Sequence, residues 1–171
     1  MEEKIKKIIC RDGDNNKYEV SENELRFRPS VYGILIEENK VLLSKQWDGY
    51  NFPGGGIKIY ETVEEALQRE FFEETGLKIE PMKIIRVKTD FFRPTLSPSH
   101  KDEYWNCQLI YFLVKKISGE ISKDNFDEEE KEYADFAEWI DIKDFHKLKI
   151  CNGLKDNLEL IEEAIILSNK I

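Results

Sequence analysis

Histidine and cysteine are both scarce in this chain: 171 residues hold two histidines and three cysteines, Cys10, Cys107 and Cys151. The cysteines lie far apart and form no CxxC pair, so neither a disulfide framework nor a Cys/His zinc centre is expected, and the thiols read as reduced and mostly packed. Long apolar runs are missing too. The longest, around Leu109 to Val114, falls far short of the roughly 20 residues that span a bilayer. The opening MEEKIKKIICRDGD lacks the apolar centre of a secretion signal, so a cytoplasmic protein without a membrane partner is expected. Positive charge is in deficit, with 26 Lys and Arg against 35 Asp and Glu, a net charge of −9 and a pI near 4.9. That balance argues against a broad surface for duplex nucleic acid, which is usually basic. A small-molecule partner and a monomer or homodimer are expected instead.

What remains suits one ordinary domain, with 40% hydrophobic residues to fill a core. Residues 1–28 read as an N-terminal hairpin extension packed on a domain of residues 29–171. Lys4 to Cys10 and Lys17 to Val20 are strand-like, joined by a turn from Asp12 to Asn16. The acids there resemble the start of a calcium loop, but the positions needing Gly and Glu hold Lys17 and Asn23, so a plain turn is expected. Ser30 to Ile36 and Lys40 to Lys45 form a hairpin through Glu37, Glu38 and Asn39. Ile79 to Phe92 is one long or bent strand, Trp105 to Lys116 a central one and Phe136 to Ile140 the last. A final helix from Leu154 to Ser168 carries Leu154, Leu158, Ile161 and Ile165 as a core stripe. Between strands, residues 91–104 form a long loop of the kind that usually carries function. The acidic run 127–132 (DEEEKE) reads either as a solvated loop or as the source of one more acid for a site, from Glu129, Glu130 or Glu132.

The stretch from Phe52 to Leu77, FPGGGIKIYETVEEALQREFFEETGL, is the organising feature. Three glycines lead into a helix from about Thr62 to Thr75, with Thr62 as N-cap and Gly76 as the left-handed stop. At 100° per residue Val63, Ala66 and Leu67 share a face, and Glu70, Glu73 and Glu74 continue that stripe into the last turn. Like charges at i,i+3 and i,i+4 cost about 0.2–0.5 kcal/mol per pair, and the negative end of a helix favours cations. Carboxylates converging beside a glycine loop suit a hard cation, Mg²⁺ or Mn²⁺, and the bland alternative is a solvated acidic face. Trp47 and Tyr50, just before the glycines, read either as stacking groups for a base or as core and rim.

The spacing itself is specific. Gly55, five residues, Glu61, seven residues, Arg69-Glu70, apolar Phe71, any residue, Glu73-Glu74, any residue, Gly76 and apolar Leu77 together resemble the Nudix box at every fixed position. The resemblance implies an α/β fold, a Nudix-type α/β/α sandwich with a mixed β-sheet between helices. It also implies metal-dependent pyrophosphohydrolase chemistry: water attack on phosphorus in a nucleoside diphosphate linked to another moiety, of the nucleoside triphosphate or nucleotide sugar type. On this reading Glu70, Glu73, Glu74 and a carbonyl of Gly54 or Gly55 are metal ligands. Glu70 is also the candidate base, with Glu73 beside it, and Arg69 and Glu61 form an ion pair holding loop and helix in register. Lys45, Lys58, Arg93, Tyr104 and Trp105 are candidates for substrate contact, with His100 nearby in the loop. Two free positions depart from the common pattern, where Tyr60 stands for a frequent Gly and Lys58 for a frequent Glu. The rival reading is a catalytically silent nucleotide-binding module with the same fold, whose mark would be a broken carboxylate set.

Overall fold

A computed structural model of the chain describes residues 5–46, 49–97, 99–126, 131, 134–150 and 154–170. In chain order the elements are β1 (Lys7–Arg11), β2 (Lys17–Ser21), β3 (Leu25–Ile34), β4 (Ile36–Glu37), β5 (Lys40–Gln46), β6 (Gly49–Asn51), β7 (Gly54–Gly56), α1 (Val63–Thr75), β8 (Lys78–Phe92), β9 (Tyr104–Ser118), β10 (Ala134–Asp141) and α2 (Leu154–Ser168). Short 3-10 turns lie at Glu22–Glu24 and Ile142–Lys147. The chain divides into two compact units, Met1–Pro29 with Lys88–Leu109 and Ser30–Val87 with Ile110–Ile171.

In the first unit the strands run in the order β2-β1-β8-β9-β3. β1 and β2 make the expected antiparallel hairpin, and β1 meets β8 in parallel at Arg11 and Phe92. The turn is held by Asp12. Its Oδ1 accepts from the Asp14 and Asn16 N–H groups, and its Oδ2 accepts from Asn16 Nδ2 and the Tyr18 hydroxyl. A carboxylate so employed is an Asx-type turn anchor, as expected of a plain turn.

In the second unit β8, β9, β3 and β7 follow one another, and a further sheet runs β10-β5-β4 with β6 on β5. The β4–β5 hairpin closes through Glu38 and Asn39, both with positive φ (46° and 63°). That is the handedness a two-residue turn between twisted strands requires. α1 begins on a reciprocal capping box: Thr62 Oγ1 accepts from the Glu65 N–H at 3.2 Å, and Glu65 Oε2 accepts from the Thr62 N–H at 2.8 Å. It ends on Gly76 in the left-handed region. Ala66, Leu67 and Phe71 bury its inner face against Val31, Leu35, Leu42, Leu77, Ile79, Phe112, Val114 and Ala137. Full burial of a Phe such as Phe71 contributes about 1.5–3 kcal/mol. Ile79 joins this cluster, whereas Arg86 pairs with Glu159 and Glu163 of α2. An odd separation along a strand puts the two on opposite faces of β8, so a helix covers each side. The result is the α/β class expected, with a mixed sheet.

Three local expectations change. β3 starts at Leu25, not Ser30, and runs through Pro29 without a break. The glycine triplet is a strand, with Gly56, Gly55 and Gly54 opposite Ser30, Val31 and Tyr32. The buried stripe of α2 is Asn157, Leu160, Ile161 and Ala164, while Leu158 and Ile165 are half-buried. A polar and a small residue take places that apolar counting assigned one position along. No helix among the described residues is long and apolar enough to cross a membrane.

Candidate active site

The glycine strand and α1 build this site by packing backbone against carboxylates. Gly54 has φ +147°, and a Cβ there would lie 2.7 Å from Tyr32 Cα. Only glycine allows β7 to approach β3 so closely. Its N–H donates to Glu74 Oε2 at 3.1 Å, and the same oxygen accepts from Ser44 Oγ at 2.5 Å. Glu74 is 7% exposed and Ser44 4% exposed. The fourth-turn acid of α1 thus reaches two strands, β5 and β7, and a buried carboxylate is retained because donors satisfy it.

Gly55 faces Glu70. A Cβ at this position would stand 2.6 Å from Glu70 Oε2, so the missing side chain is the space the carboxylate occupies. Arg69 gathers the remaining acids. Its Nε and Nη2 donate to the two oxygens of Glu61 at 2.5 and 2.8 Å, its Nη1 donates to Glu70 Oε1 at 2.7 Å and Glu73 Oε2 at 2.9 Å, and Nη2 also donates to the Gly56 carbonyl at 3.2 Å. The bidentate fork on Glu61 is the strong form of the pair. Held by that guanidinium, the Glu61 carboxyl falls from 4.5 to about 2, and the Lys58 N–H donating to Glu61 Oε2 at 3.0 Å adds to the effect. Arg69 is pushed up in return, first by Glu61.

One guanidinium therefore serves Glu61, Glu70 and Glu73, with Glu74 close behind on the same helix face. Three carboxylates outnumber one cation, and Gly55 leaves Glu70 room at the main chain. That oxygen-only donor set fits a hard divalent cation and not zinc. As the side chains stand, no three His, Cys, Asp or Glu among the described residues are gathered as a metal group. Arg69 Nη1 is the positive group shared by Glu70 and Glu73 here.

The expected substrate contacts are placed as follows. Lys58 and Tyr60 are exposed on the turn between the glycines and α1. Strand alternation turns Lys45 away from its neighbour Ser44. Lys45 Nζ donates to Glu138 Oε1 at 3.0 Å, and the Tyr50 hydroxyl donates to Glu138 Oε2 at 3.0 Å. Arg93, Tyr104 and Trp105 lie in the first unit. Arg93 sits over the rings of Tyr18 and Tyr104, at 4.4 and 5.2 Å, and Arg28 over Trp105 at 4.3 Å. His100 packs edge-on against Trp105. Trp47 and the acids Glu129, Glu130 and Glu132 fall outside the described residues. Ser44 and Glu138 were not singled out by sequence. The signal for each was a lone polar residue inside an apolar strand, Ser44 in VLLSK and Glu138 in FAEWI.

Comparison with known proteins bears on the same residues. The family model described as NUDIX domain matches residues 26–161. An ADP-ribose pyrophosphatase of Methanocaldococcus jannaschii is 34% identical over 136 residues, covering 75% of this chain and 72% of the relative. An 8-oxo-dGTP diphosphatase of Buchnera aphidicola is 27% identical over 146 residues, covering 81% of this chain and 94% of the relative. Among solved structures, an ADP-ribose pyrophosphatase of Streptococcus suis superposes with a TM-score of 0.58 at 18% identity, covering 82% of this chain and 91% of the other. With the whole box in place on α1 and β7, the chain belongs to the Nudix family of hydrolases, which act on phosphoric anhydrides.

Proposed function

We propose that the chain is a divalent-metal-dependent pyrophosphohydrolase. It cleaves, by water attack on phosphorus, a nucleoside diphosphate linked to another moiety, of the nucleoside triphosphate or nucleotide sugar type. The observation that carries the reading is the arrangement of Glu61, Glu70 and Glu73 around Arg69, with Glu74 joining the helix to Gly54. The names of the two curated relatives, one for 8-oxo-dGTP and one for ADP-ribose, fall within that substrate class.

Glu70, Glu73 and Glu74, with a main-chain carbonyl of Gly54 or Gly55, would hold Mg²⁺, or Mn²⁺ in its place. When bound, such an ion supplies fixed positive charge against phosphate oxygens and acidifies a water. The chain's own groups do the rest. Glu70 is held between Arg69 and the Gly55 backbone, where its carboxylate takes the proton of the attacking water. Arg69 and Glu61 are positioning residues: they tie the loop at Gly56 and Lys58 to the acids of α1. Glu74 positions Gly54 through the N–H bond and is in turn oriented by Ser44. Lys58, on the exposed turn within the box, meets the substrate's phosphates, and Lys45, Arg93, Tyr104 and Trp105 are the further contacts proposed for substrate.

The test is a nucleotide panel incubated with Mg²⁺ or Mn²⁺ and read by phosphate release, with wild type beside Glu70→Gln and Glu74→Gln. Turnover of at least one anhydride by wild type, with a loss of about 100-fold or more in Glu70→Gln, supports the reading. Binding of a nucleotide with no turnover across the panel would replace it with the silent binding module.

A further inference from the structure

Three aromatic rings of the second unit form a stack that the catalytic reading leaves unused. Tyr32 of β3 lies on Tyr111 of β9 with ring centres 5.5 Å apart and planes inclined by 24°, and Phe52 meets Tyr111 edge-on at 6.2 Å and 80°. Both are favoured geometries for aromatic pairs. Phe52 is 1% and Tyr111 2% exposed, whereas Tyr32 is only half-buried. The stack therefore runs from the core toward the surface and ends in the ring of Tyr32.

Strand alternation sets where that ring lies. Val31 and Leu35 pack in the core cluster of α1, and a Cβ on Gly33 would lie 2.8 Å from Phe71 Cδ2. Tyr32 consequently stands on the opposite face of β3. It nevertheless borders the acids, because the strand between them is bare main chain. A Cβ on Gly54 would lie 3.0 Å from Tyr32 Cδ1, and the Gly54 N–H donates to Glu74 Oε2 at 3.1 Å. One glycine thus separates an acid of α1 from an aromatic ring of β3. β7 is the last strand beside β3, and Gly54, Gly55 and Gly56 put no side chain on either of its faces. A ligand can cross it in contact with the backbone.

We propose that Tyr32, backed by Tyr111 and Phe52, is the stacking platform for the base of the nucleotide, and so the residue that selects nucleotides over anhydrides without a base. This inference rests on the proposed function: the diphosphate lies on the acids beside Gly54 and Gly55, and the base, one sugar away across β7, meets the ring of Tyr32. Tyr111 and Phe52 hold that ring in place before ligand arrives, so little side-chain freedom is lost on binding. A stacking ring reads the flat face that every base has and not its edge, so the platform accepts purines and pyrimidines alike.

The experiment measures binding of AMP, GMP, CMP and UMP beside ribose 5-phosphate, none of which contains an anhydride, by titration calorimetry on the full chain. Wild type should bind the tightest of the four nucleotides at least tenfold more tightly than ribose 5-phosphate. Tyr32→Leu should weaken that nucleotide about tenfold, Tyr32→Phe should bind it as wild type does, and ribose 5-phosphate should bind all three proteins alike. In parallel, Tyr32→Leu should raise KM for a nucleoside triphosphate about tenfold at unchanged kcat, the mark of lost uniform binding, and Tyr32→Phe should restore it. A ring that only packs the core would lower the melting temperature of Tyr32→Leu and leave its preference for nucleotide over ribose 5-phosphate intact. That result, or a wild type without the preference, overturns the proposal. Binding is read without turnover, so failure of the platform in a chain that hydrolyses anhydrides is distinguishable from failure of the enzymatic reading.

Discussion

Gly55 and Glu70 share one space: a Cβ on Gly55 would lie 2.6 Å from Glu70 Oε2 and 2.7 Å from its Cδ. The glycine is therefore the seat of a carboxylate. Gly55→Ala should force Glu70 off its 2.7 Å bond to Arg69 while the rest of the fold adapts, because the obstructed group is a side-chain end. A displacement of this size at a reacting group costs on the order of 100-fold. Steady-state kinetics should show kcat/KM falling about 10- to 100-fold, with thermal melting shifted by only a few degrees.

Glu61 and Arg69 make a prediction about acid. The Glu61 carboxyl is lowered from 4.5 to about 2, chiefly by Arg69. A lowered carboxyl contributes stability that is present above the unfolded pKa and lost as pH falls toward the folded one. The contribution should be complete above about pH 5 and disappear between about pH 4.5 and 2. After discounting for the partial exposure of Arg69, it amounts to about 2 kcal/mol. Urea denaturation at pH 7 should find Glu61→Gln less stable by that amount, and its stability should change less than that of wild type through the acid range.

Ser44→Ala removes the hydroxyl that donates to buried Glu74 at 2.5 Å. Leaving a buried carboxylate oxygen with one donor fewer costs about 1–3 kcal/mol. Denaturant midpoints should fall with an unchanged m-value, and metal affinity measured by calorimetry should change together with them.

Much of this site was legible before the fold was. α1 was bounded correctly by Thr62 and Gly76, because caps are local chemistry between residues three or four apart. Its acidic end was legible for the same reason, as helical spacing needs no tertiary information. The glycine strand was not. Glycines carry no alternating side chains, so the pairing of Gly54, Gly55 and Gly56 with β3 left no periodic mark. Ser44 meets Glu74 where β5 packs on α1, and Glu138 meets Lys45 and Tyr50 across strands, partnerships that depend on packing and register. The α2 stripe slipped because Asn157 and Ala164 are buried without being large and apolar.

Gly76 and Gly13 form a contrasting pair. Gly76 ends α1 at φ +76°, and a Cβ there would lie 2.5 Å from the Glu120 carbonyl oxygen. Both strain and backbone collision oppose a side chain, so Gly76→Ala should cost about 2–3 kcal/mol. A Cβ on Gly13 meets nothing within 4 Å. Gly13→Ala should stay within about 0.5 kcal/mol of wild type. Paired thermal melts check both.

The metal site proposed on the carboxylates of α1 makes anhydride hydrolysis dependent on a bound cation. It is tested most directly by titrating Mg²⁺ into metal-stripped protein during hydrolysis of an anhydride substrate, for wild type and for Glu73→Gln. Stripped protein should show no turnover, wild type should recover saturably, and Glu73→Gln should recover only at a Mg²⁺ concentration at least tenfold higher. Full turnover by the stripped protein, or identical Mg²⁺ curves for the two proteins, would contradict it.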